Sequence, residues 1–419
     1  MGPPNVLVIC IDTLRADHVG AFGDDRRLTP AIDAIARRGA LFADGIAPAP
    51  FTAPTVATML TGASPLAHGV RSWSAFGRRW EGPTLGDAFR ANRYRTAFLG
   101  ANGFLRPIRP IRDGFDDFED VHDRPAPSLA RRAVEWIRER GEAPWFLWVH
   151  FYDPHAPYVD HAAEHGERFL TEADRAELAR LAARSDRAEI APGHPEWEAT
   201  ARLHERLYAG EVAFTDAAIA SLVEAVGAGT IVVVVADHGE NLADHPPWFS
   251  HNDALFDSLV HVPFAIAGPG AAPAVHRGPV SLEDLPRTLA ELAGLDAGAL
   301  DGRSHAATVR GEAAFAPAEV VGLDTGLQKV FAVGVRTADA KLIRFDEETP
   351  RFVRYDLASD PGETTPIPTG AGDPLVARLE AWIEEQRSLF ERRNGPDDGA
   401  GDVRTPDEIR QLRAFGYLR

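Results

Sequence analysis

Cysteine is nearly absent from this chain of 419 residues. The single residue of this type, Cys10, excludes an intramolecular disulfide and any cysteine-rich zinc or iron–sulfur site. Long hydrophobic runs are absent as well, because apolar stretches such as 231–236 fall far short of the roughly 20 residues that span a bilayer. We therefore expect no membrane partner.

Positive charge is also scarce. The chain has 44 Lys and Arg against 62 Asp and Glu, for a formal net charge of −18. No basic stripe offsets this charge, so a nucleic acid is not an expected partner. The sequence begins Met1-Gly2-Pro3-Pro4 and enters an apolar run without the basic leader and cleavage pattern of a signal peptide. We expect a cytoplasmic protein.

What is present is the composition of a globular protein, with 45% hydrophobic and 25% charged residues. At about 150 residues per domain, the length allows two or three domains. We predict a catalytic α/β domain over 1–315 with a helical excursion at about 159–207. A C-terminal α+β subdomain over 316–393 should follow, and then a linker with a C-terminal helix over 394–419.

Short β-rich apolar runs alternate with helical patterns in the first three quarters of the chain. This alternation predicts a doubly wound, mostly parallel α/β sheet flanked by helices, followed by a small antiparallel sheet with a helix. The predicted parallel strands are 5–11, 96–99, 145–149, 230–236 and 262–267, the antiparallel strands are 330–335, 341–345 and 351–357, and the helices include 30–39, 130–140, 207–226 and 373–392.

Polar residues stand where the predicted strands end. In a doubly wound sheet, ligands bind beyond the carboxyl ends of the strands. Carboxylates and imidazoles that meet there need a cation between them, and this ligand set suits Mg, Mn, Ca or Zn. Taken singly, Asp12 could cap a helix and Asp237 with His238 could form a turn. The residues at these strand ends are Asp12, Asn102, His150, Asp153, His155, Asp237 and His238.

A second feature is the segment 52–62. Pro54 suits a first helical turn and Gly62 a helix end, so Thr52 should lie at a helix N-terminus, where the dipole and unpaired N–H groups favour an anion. A hydroxyl at this place can act as a nucleophile. Thr52 could equally serve only as an N-cap, which is the commoner use of threonine there.

Several segments in order along nearly the whole chain carry a resemblance to a known family. These are 5–20, 29–33, 52–62, 65–70, 150–158, 208–212, 236–240, His251, and 341–344 with 355–363. Together they resemble the sulfatases of the alkaline phosphatase superfamily. The resemblance implies that fold and a hydrolase acting on ester bonds.

The chain departs from that family at three places. Thr52 stands where classical sulfatases carry the cysteine that is oxidised to formylglycine, so formylglycine cannot form. A basic pair that binds sulfate would fall on 100–103, where both basic side chains are missing. Thr13 replaces a second acidic residue. The departures favour a phosphate ester over a sulfate ester as the substrate.

Relatives with a threonine nucleophile imply a role for each candidate residue. Asp12, Thr52, Asp237 and His238 would bind one divalent metal ion (Ca, Mg, Mn or Zn). His155 and His251 would contact the anion or protonate the leaving oxygen, and Asn102 would donate to a non-bridging oxygen. A second metal on Asp153 and His251 is less favoured. We assign structural roles to His68 and His150, and expect solvent exposure for His161, His165, His194 and His204.

The leading hypothesis is a metal-dependent hydrolase of phosphate or sulfate esters that passes through a covalent intermediate on Thr52. The alternatives are a transferase of a phospho headgroup to an alcohol, a true sulfuric ester hydrolase, and a non-catalytic binding protein. The substrate is expected to be a small anionic ester, and the oligomeric state stays open. Specificity should come from 158–207, 72–80 and the aromatic pair Trp248-Phe249.

Overall fold

The computed structural model describes residues 2–71, 80–106, 108–139, 143–184, 190–246, 248–251, 254–327, 330–347 and 349–395. Most of the predicted specificity segment 72–80 lies outside these residues. So does almost all of the predicted linker and C-terminal helix over 394–419.

An eight-stranded sheet forms the centre of the molecule. Its order is β4-β3-β5-β1-β6-β7-β2-β8. Strands β1, β5 and β6 are completely buried apart from Asn5, because their valines, isoleucines and aromatic residues face helices on both sides. The strands are β1 (Asn5–Ile11), β2 (Ala40–Ile46), β3 (Arg95–Gly100), β4 (Asp117–Asp120), β5 (Trp145–Phe151), β6 (Thr230–Ala236), β7 (His261–Ala267) and β8 (Ala274–Ser281).

The mostly parallel α/β sheet is confirmed, with one correction. Strand β7, predicted to be parallel, pairs antiparallel with both β6 and β2. The other neighbouring strands pair in parallel. A fully buried strand has apolar residues on both faces whatever its direction, so its sequence does not reveal which way it runs.

Helices cover this sheet in two groups. Helices α1 and α6 both pack against α9, and α2, α4 and α11 form a second packed group. None of the helices within the described ranges is long and apolar enough to cross a membrane. The helices are α1 (Pro30–Ala36), α2 (Thr52–Thr61), α3 (Pro65–His68), α4 (Leu85–Ala91), α5 (Arg109–Arg112), α6 (Ala126–Arg138), α7 (Ala162–His165), α8 (Glu172–Ala182), α9 (Trp197–Ala225), α10 (Asp257–Val260), α11 (Leu285–Leu292), α12 (Ala306–Val309) and α13 (Pro374–Asn394).

The small antiparallel sheet is confirmed and has five strands in the order β13-β12-β11-β10-β9. These are β9 (Val321–Leu327), β10 (Val330–Arg336), β11 (Ala340–Phe345), β12 (Arg351–Asp356) and β13 (Ile367–Thr369). Helix α13 packs on β10, and Asp373 caps it by accepting from the backbone N–H of Leu375 at 2.8 Å. The two sheets lie on either side of the predicted boundary at residue 316, and the division into domains stays a prediction.

Candidate active site

The carboxyl ends of β1 and β6 bring two carboxylates together. Asp12 follows β1 and Asp237 follows β6, and both are completely buried. With His238 they offer three ligand atoms that lie within 4.8 Å of one another. Among the described residues this is the one group of three or more His, Cys, Asp or Glu that could hold a metal ion.

In each carboxylate, one oxygen accepts hydrogen bonds and the other has no donor among the described residues, and we call the second a bare oxygen. Asp237 Oδ1 accepts from the backbone N–H of His238 at 2.8 Å and of Thr13 at 3.3 Å. Asp12 Oδ2 accepts from Asn102 Nδ2 at 2.9 Å. The other two oxygens, Asp12 Oδ1 and Asp237 Oδ2, are buried and have no hydrogen-bond donor in the described part of the chain.

His238 presents one free ring nitrogen to the same place. Its Nδ1–H donates to the Gly239 carbonyl at 2.8 Å, which fixes the neutral ring with a lone pair on Nε2. Burial lowers the pKa of His238 to about 3, so the ring stays neutral. Nε2 lies 3.5 Å from Asp12 Oδ1 and 3.4 Å from Thr52 Oγ1.

This donor set fits a divalent cation. Burial raises the pKa of Asp237, and the negative charge of Asp12 raises it further. No Lys or Arg of the described ranges forms an ion pair with either carboxylate. Two bare carboxylate oxygens and a neutral imidazole nitrogen are ligands that Mg, Mn, Ca or Zn accept.

Thr52 is the first residue of α2, and its hydroxyl faces this group. Oγ1 lies 3.4 Å from Asp12 Oδ2 and 3.5 Å from Asn102 Nδ2. The N-cap position belongs to Phe51, and the Thr52 hydroxyl makes no capping hydrogen bond. The helix therefore places Thr52 but does not use its hydroxyl as a cap.

His251 and His155 stand beside the carboxylates. The two rings meet edge to face with centroids 4.8 Å apart, and the His251 ring lies 4.7 Å from that of His238. His251 Nδ1 donates to the buried Glu240 carboxylate at 3.2 Å. Burial lowers the pKa of His251, but the charge of Glu240 outweighs it and the pKa is raised.

His155 has a neutral partner instead. Its Nδ1–H donates to the Ala156 carbonyl at 2.5 Å, and the ring stacks on Tyr152 with centroids 4.5 Å apart. Burial and the charge of His251 lower the pKa of His155. The two histidines therefore differ, since His251 favours the cation and His155 the neutral ring.

The model of the sulfatase family matches residues 4–295. The chain belongs to the sulfatase family. It is 27% identical to the Delta 4,5-hexuronate-2-O-sulfatase of Bacteroides thetaiotaomicron, over 98% of this chain and 91% of that protein. It is 24% identical to the choline-sulfatase of Rhizobium meliloti, over 70% of this chain and 68% of that protein.

Solved structures show the same fold. The phosphonate monoester hydrolase of Agrobacterium radiobacter superposes with a TM-score of 0.72 at 20% identity, over 93% of this chain and 96% of that chain. The resemblance to the sulfatases seen in the sequence is confirmed. This member of the sulfatase family is a hydrolase that acts on ester bonds.

Sequence reasoning listed His150 among the residues at the strand ends but assigned it a structural role outside this sulfatase-family site. His150 Nε2 lies 3.5 Å from Asp12 Oδ2 and 3.7 Å from Asp237 Oδ2, inside the buried group and not apart from it. Its place on β5 next to β1 was predictable, but not that its ring contacts both carboxylates. Glu240 was missed, although it stands two residues after His238 in the motif.

Asp153 and His68 form their hydrogen bonds to residues outside this group. Asp153 Oδ1 accepts from the backbone N–H of Ala126 at 2.9 Å, at the start of α6. Burial raises the pKa of Asp153 to about 6. His68 bonds to Thr58 Oγ1 at 3.0 Å, where its ring supports α2.

The exposure expected for four histidines of the excursion is wrong. His161, His165, His194 and His204 are all half-buried. His161 Nε2 lies 2.8 Å from the carboxylate of Glu211, and His204 stacks on the ring of Phe249 with centroids 4.3 Å apart. A polar segment that folds against α9 buries its imidazoles, which composition alone does not show.

Proposed function

We propose that this sulfatase-family protein hydrolyses small anionic esters of the phosphate type. The reaction would use one divalent cation as cofactor and Thr52 as the nucleophile. The observation that supports the proposal is that Asp12, Asp237 and His238 place three ligand atoms within 4.8 Å of one another. The Thr52 hydroxyl lies beside them, 3.4 Å from Asp12 Oδ2 and 3.4 Å from His238 Nε2. A cation held by these atoms with Thr52 Oγ1 would lower the pKa of the hydroxyl and neutralise charge on the transferring group.

The side chains around Thr52 fit the steps of such a reaction. Attack by Oγ1 on phosphorus releases the hydroxyl proton to solvent, forms a threonine ester and breaks the bond to the leaving oxygen, which takes up a proton. Water then attacks phosphorus, which breaks the bond to Oγ1 and restores the Thr52 hydroxyl as phosphate leaves. His251 suits the role of the acid because the Glu240 carboxylate favours its protonated form. His155, with its neutral ring, suits a contact to the anion.

Asn102 suits the remaining role of holding the ester. It is buried at the end of β3, and its Oδ1 accepts from the backbone N–H of Phe104 at 3.2 Å. This contact fixes which side of the amide bears the N–H groups. Nδ2 donates to Asp12 at 2.9 Å and makes a long contact of 3.5 Å to Thr52 Oγ1, so its second N–H would lie close to a non-bridging oxygen of an ester formed at that hydroxyl.

The residues at two places, Thr52 and the segment 100–103, favour a phosphate ester over a sulfate ester as the substrate. A sulfated threonine cannot collapse by the elimination that is open to a hydrated aldehyde. The segment 100–103 offers Asn102 where a sulfate-binding basic pair would be expected. The names of the relatives in the sulfatase family favour sulfate, so a sulfuric ester hydrolase is the competing function.

A parallel assay separates the two functions. Aryl phosphate, aryl phosphodiester, aryl phosphonate and aryl sulfate share one leaving group and are compared by kcat/KM, with and without a chelator. The alanine variant of Thr52, purified in the same way, measures contaminating activity. We expect chelator-sensitive turnover of a phosphorus ester. A kcat/KM for the sulfate well above the other three would overturn the preference for phosphate.

An added alcohol tests whether water is the acceptor. Release of the leaving group and formation of inorganic phosphate should stay equal when glycerol is present. A deficit of phosphate, matched by a phosphorylated glycerol product, would identify a transferase.

A further inference from the structure

The turn after β1 has a backbone conformation that threonine rarely adopts. Thr13 has φ of 56°, in the left-handed region, which a β-branched side chain avoids. The residue is completely buried and follows Asp12 directly. Such a conformation persists only where neighbouring groups hold it in place.

The conformation directs a backbone donor to the candidate metal site. The N–H of Thr13 points to Asp237 Oδ1 at 3.3 Å. With the N–H of His238, it occupies this oxygen and leaves Oδ2 of the same carboxylate bare. The left-handed turn therefore links the end of β1, which carries Asp12, to the carboxylate at the end of β6.

The hydroxyl of one side chain, Tyr208, bonds to two backbone groups of this turn, one before Leu14 and one after it. The Tyr208 hydroxyl donates to the Thr13 carbonyl at 2.7 Å and accepts from the backbone N–H of Arg15 at 3.0 Å. Tyr208 lies on α9 and is completely buried. Its ring is fixed edge-on by His18, with centroids 4.8 Å apart.

We propose that Tyr208 is a positioning residue for the divalent-cation site. Its hydroxyl keeps Thr13 left-handed and thereby sets the separation of the Asp12 and Asp237 carboxylates. The inference rests on the proposed function, because it assumes that these carboxylates hold a cation. Tyr208 acts through the turn, since its hydroxyl bonds to backbone atoms and to neither carboxylate.

The test compares two buried tyrosines at opposite ends of β1. Tyr94 also donates its hydroxyl to a backbone carbonyl, that of Pro4, at 3.0 Å, so Tyr94→Phe is a matched control. Titration calorimetry of chelator-treated protein with Mn²⁺ and, separately, Ca²⁺ gives the dissociation constants. We expect Tyr208→Phe to weaken binding about 10–100-fold and Tyr94→Phe to leave it unchanged.

A rescue separates positioning from general loosening of the fold. Glycine adopts positive φ without strain, so Thr13→Gly combined with Tyr208→Phe should recover most of the lost affinity. Thermal unfolding of the metal-free proteins measures stability independently. If Tyr208→Phe alone does not fold, the double variant is compared with Thr13→Gly, and the two should bind the cation within about threefold of each other.

Two results would overturn the inference: wild-type affinity in Tyr208→Phe, or a double variant that stays as weak as the single one. Failure of the proposed function looks different. In that case the wild-type protein and Tyr94→Phe would bind neither Mn²⁺ nor Ca²⁺. Alternatively, Asp237→Asn would bind these cations as tightly as wild type.

Discussion

Two groups of buried carboxylates in this molecule differ in whether a basic side chain of the protein pairs with them. At the second sheet, Lys341 is completely buried and places its Nζ 2.6 Å from Asp257 and 2.7 Å from Glu363. At the active site, Asp12 and Asp237 are equally buried, yet the described residues supply no lysine or arginine to them.

The pKa values follow this difference. Burial raises the pKa of Asp257, but the charges of Lys341 and Arg336 outweigh it and hold that pKa below its usual range. Burial and the charge of Asp12 both raise the pKa of Asp237. A buried pair of carboxylates is stable when a cation lies between them. The first group contains its cation in the sequence, and we propose that the second takes a metal cation from solution.

The largest expected effect comes from removing one carboxylate of the active-site group. Asp237→Asn should lose the bound metal ion and reduce turnover by more than about 10³-fold, because the bare oxygen that would hold the cation is gone. Metal analysis of the purified variant measures the loss.

Asp216→Asn is the control for this variant. Asp216 is a buried carboxylate that likewise accepts two backbone N–H groups, those of Ala31 and Ile32. Asp216 lies on α9, its carboxylate binds the first turn of α1, and it is not one of the candidate ligands, so this variant should keep its metal. A full equivalent of metal in Asp237→Asn would show that the ligand assignment is wrong.

The second prediction tests whether Thr52, which lies beside the active-site carboxylates, acts as a nucleophile. Thr52→Ala should reduce kcat by more than about 10³-fold, Thr52→Asn similarly, and Thr52→Ser should keep appreciable turnover. Because Phe51 holds the N-cap position, the alanine variant should not show the loss of about 1 kcal/mol that removal of a cap causes.

Thr55→Ala is the matched control in the same helix. Its hydroxyl donates to the Ala49 carbonyl at 3.0 Å and does not face the carboxylates, so kcat should stay near wild type. Near wild-type rates in Thr52→Asn would instead limit Thr52 to a structural role.

The third prediction concerns a variant that removes the lysine from the group of buried charges at the second sheet. Lys341→Met leaves Asp257 and Glu363 buried without their central cation and should lower the free energy of unfolding by about 3–5 kcal/mol. Chemical denaturation measures this value. Arg344→Met, on the same strand but paired with half-exposed and exposed acids, should cost less than about 1 kcal/mol. Equal effects of the two variants would contradict the comparison.

The smallest effect on stability is expected for the pair of the half-buried His161 with the buried Glu211. Burial lowers the pKa of His161, but the hydrogen bond and charge of Glu211 outweigh it and raise the pKa. A raised pKa stabilises the fold below the unfolded value of about 6.5, and this contribution disappears as the pH rises through the folded pKa.

His161→Gln should therefore be less stable than wild type by up to about 1 kcal/mol at pH 5.5 or so, with the gap closing at alkaline pH. Denaturation at several pH values gives the difference. A gap that widens with pH would show that the sign of the shift is wrong.

The sequence was sufficient to predict much of the fold and to suggest residues for the candidate site. Alternating strands and helices indicated a doubly wound sheet, and the strand ends indicated Asp12, Asn102 and Asp237. The direction of β7 was not accessible, because the apolar pattern of a buried strand is the same in both directions. His150 was underrated because its neighbours come from other strands.

By itself, then, the sequence determined the sheet, the edge at which polar residues gather and the absence of a formylglycine precursor at Thr52. These properties follow from local pattern and residue identity. Tertiary structure alone decided which oxygens stay bare, that Thr52 does not cap its helix, and that Glu240 holds His251 while a carbonyl holds His155. Which oxygens stay bare depends on contacts between segments far apart in the chain, such as that of Asn102 with Asp12. The other features depend on the exact conformation of the backbone and side chains around Thr52, His155 and His251, which a pattern of residue types does not contain.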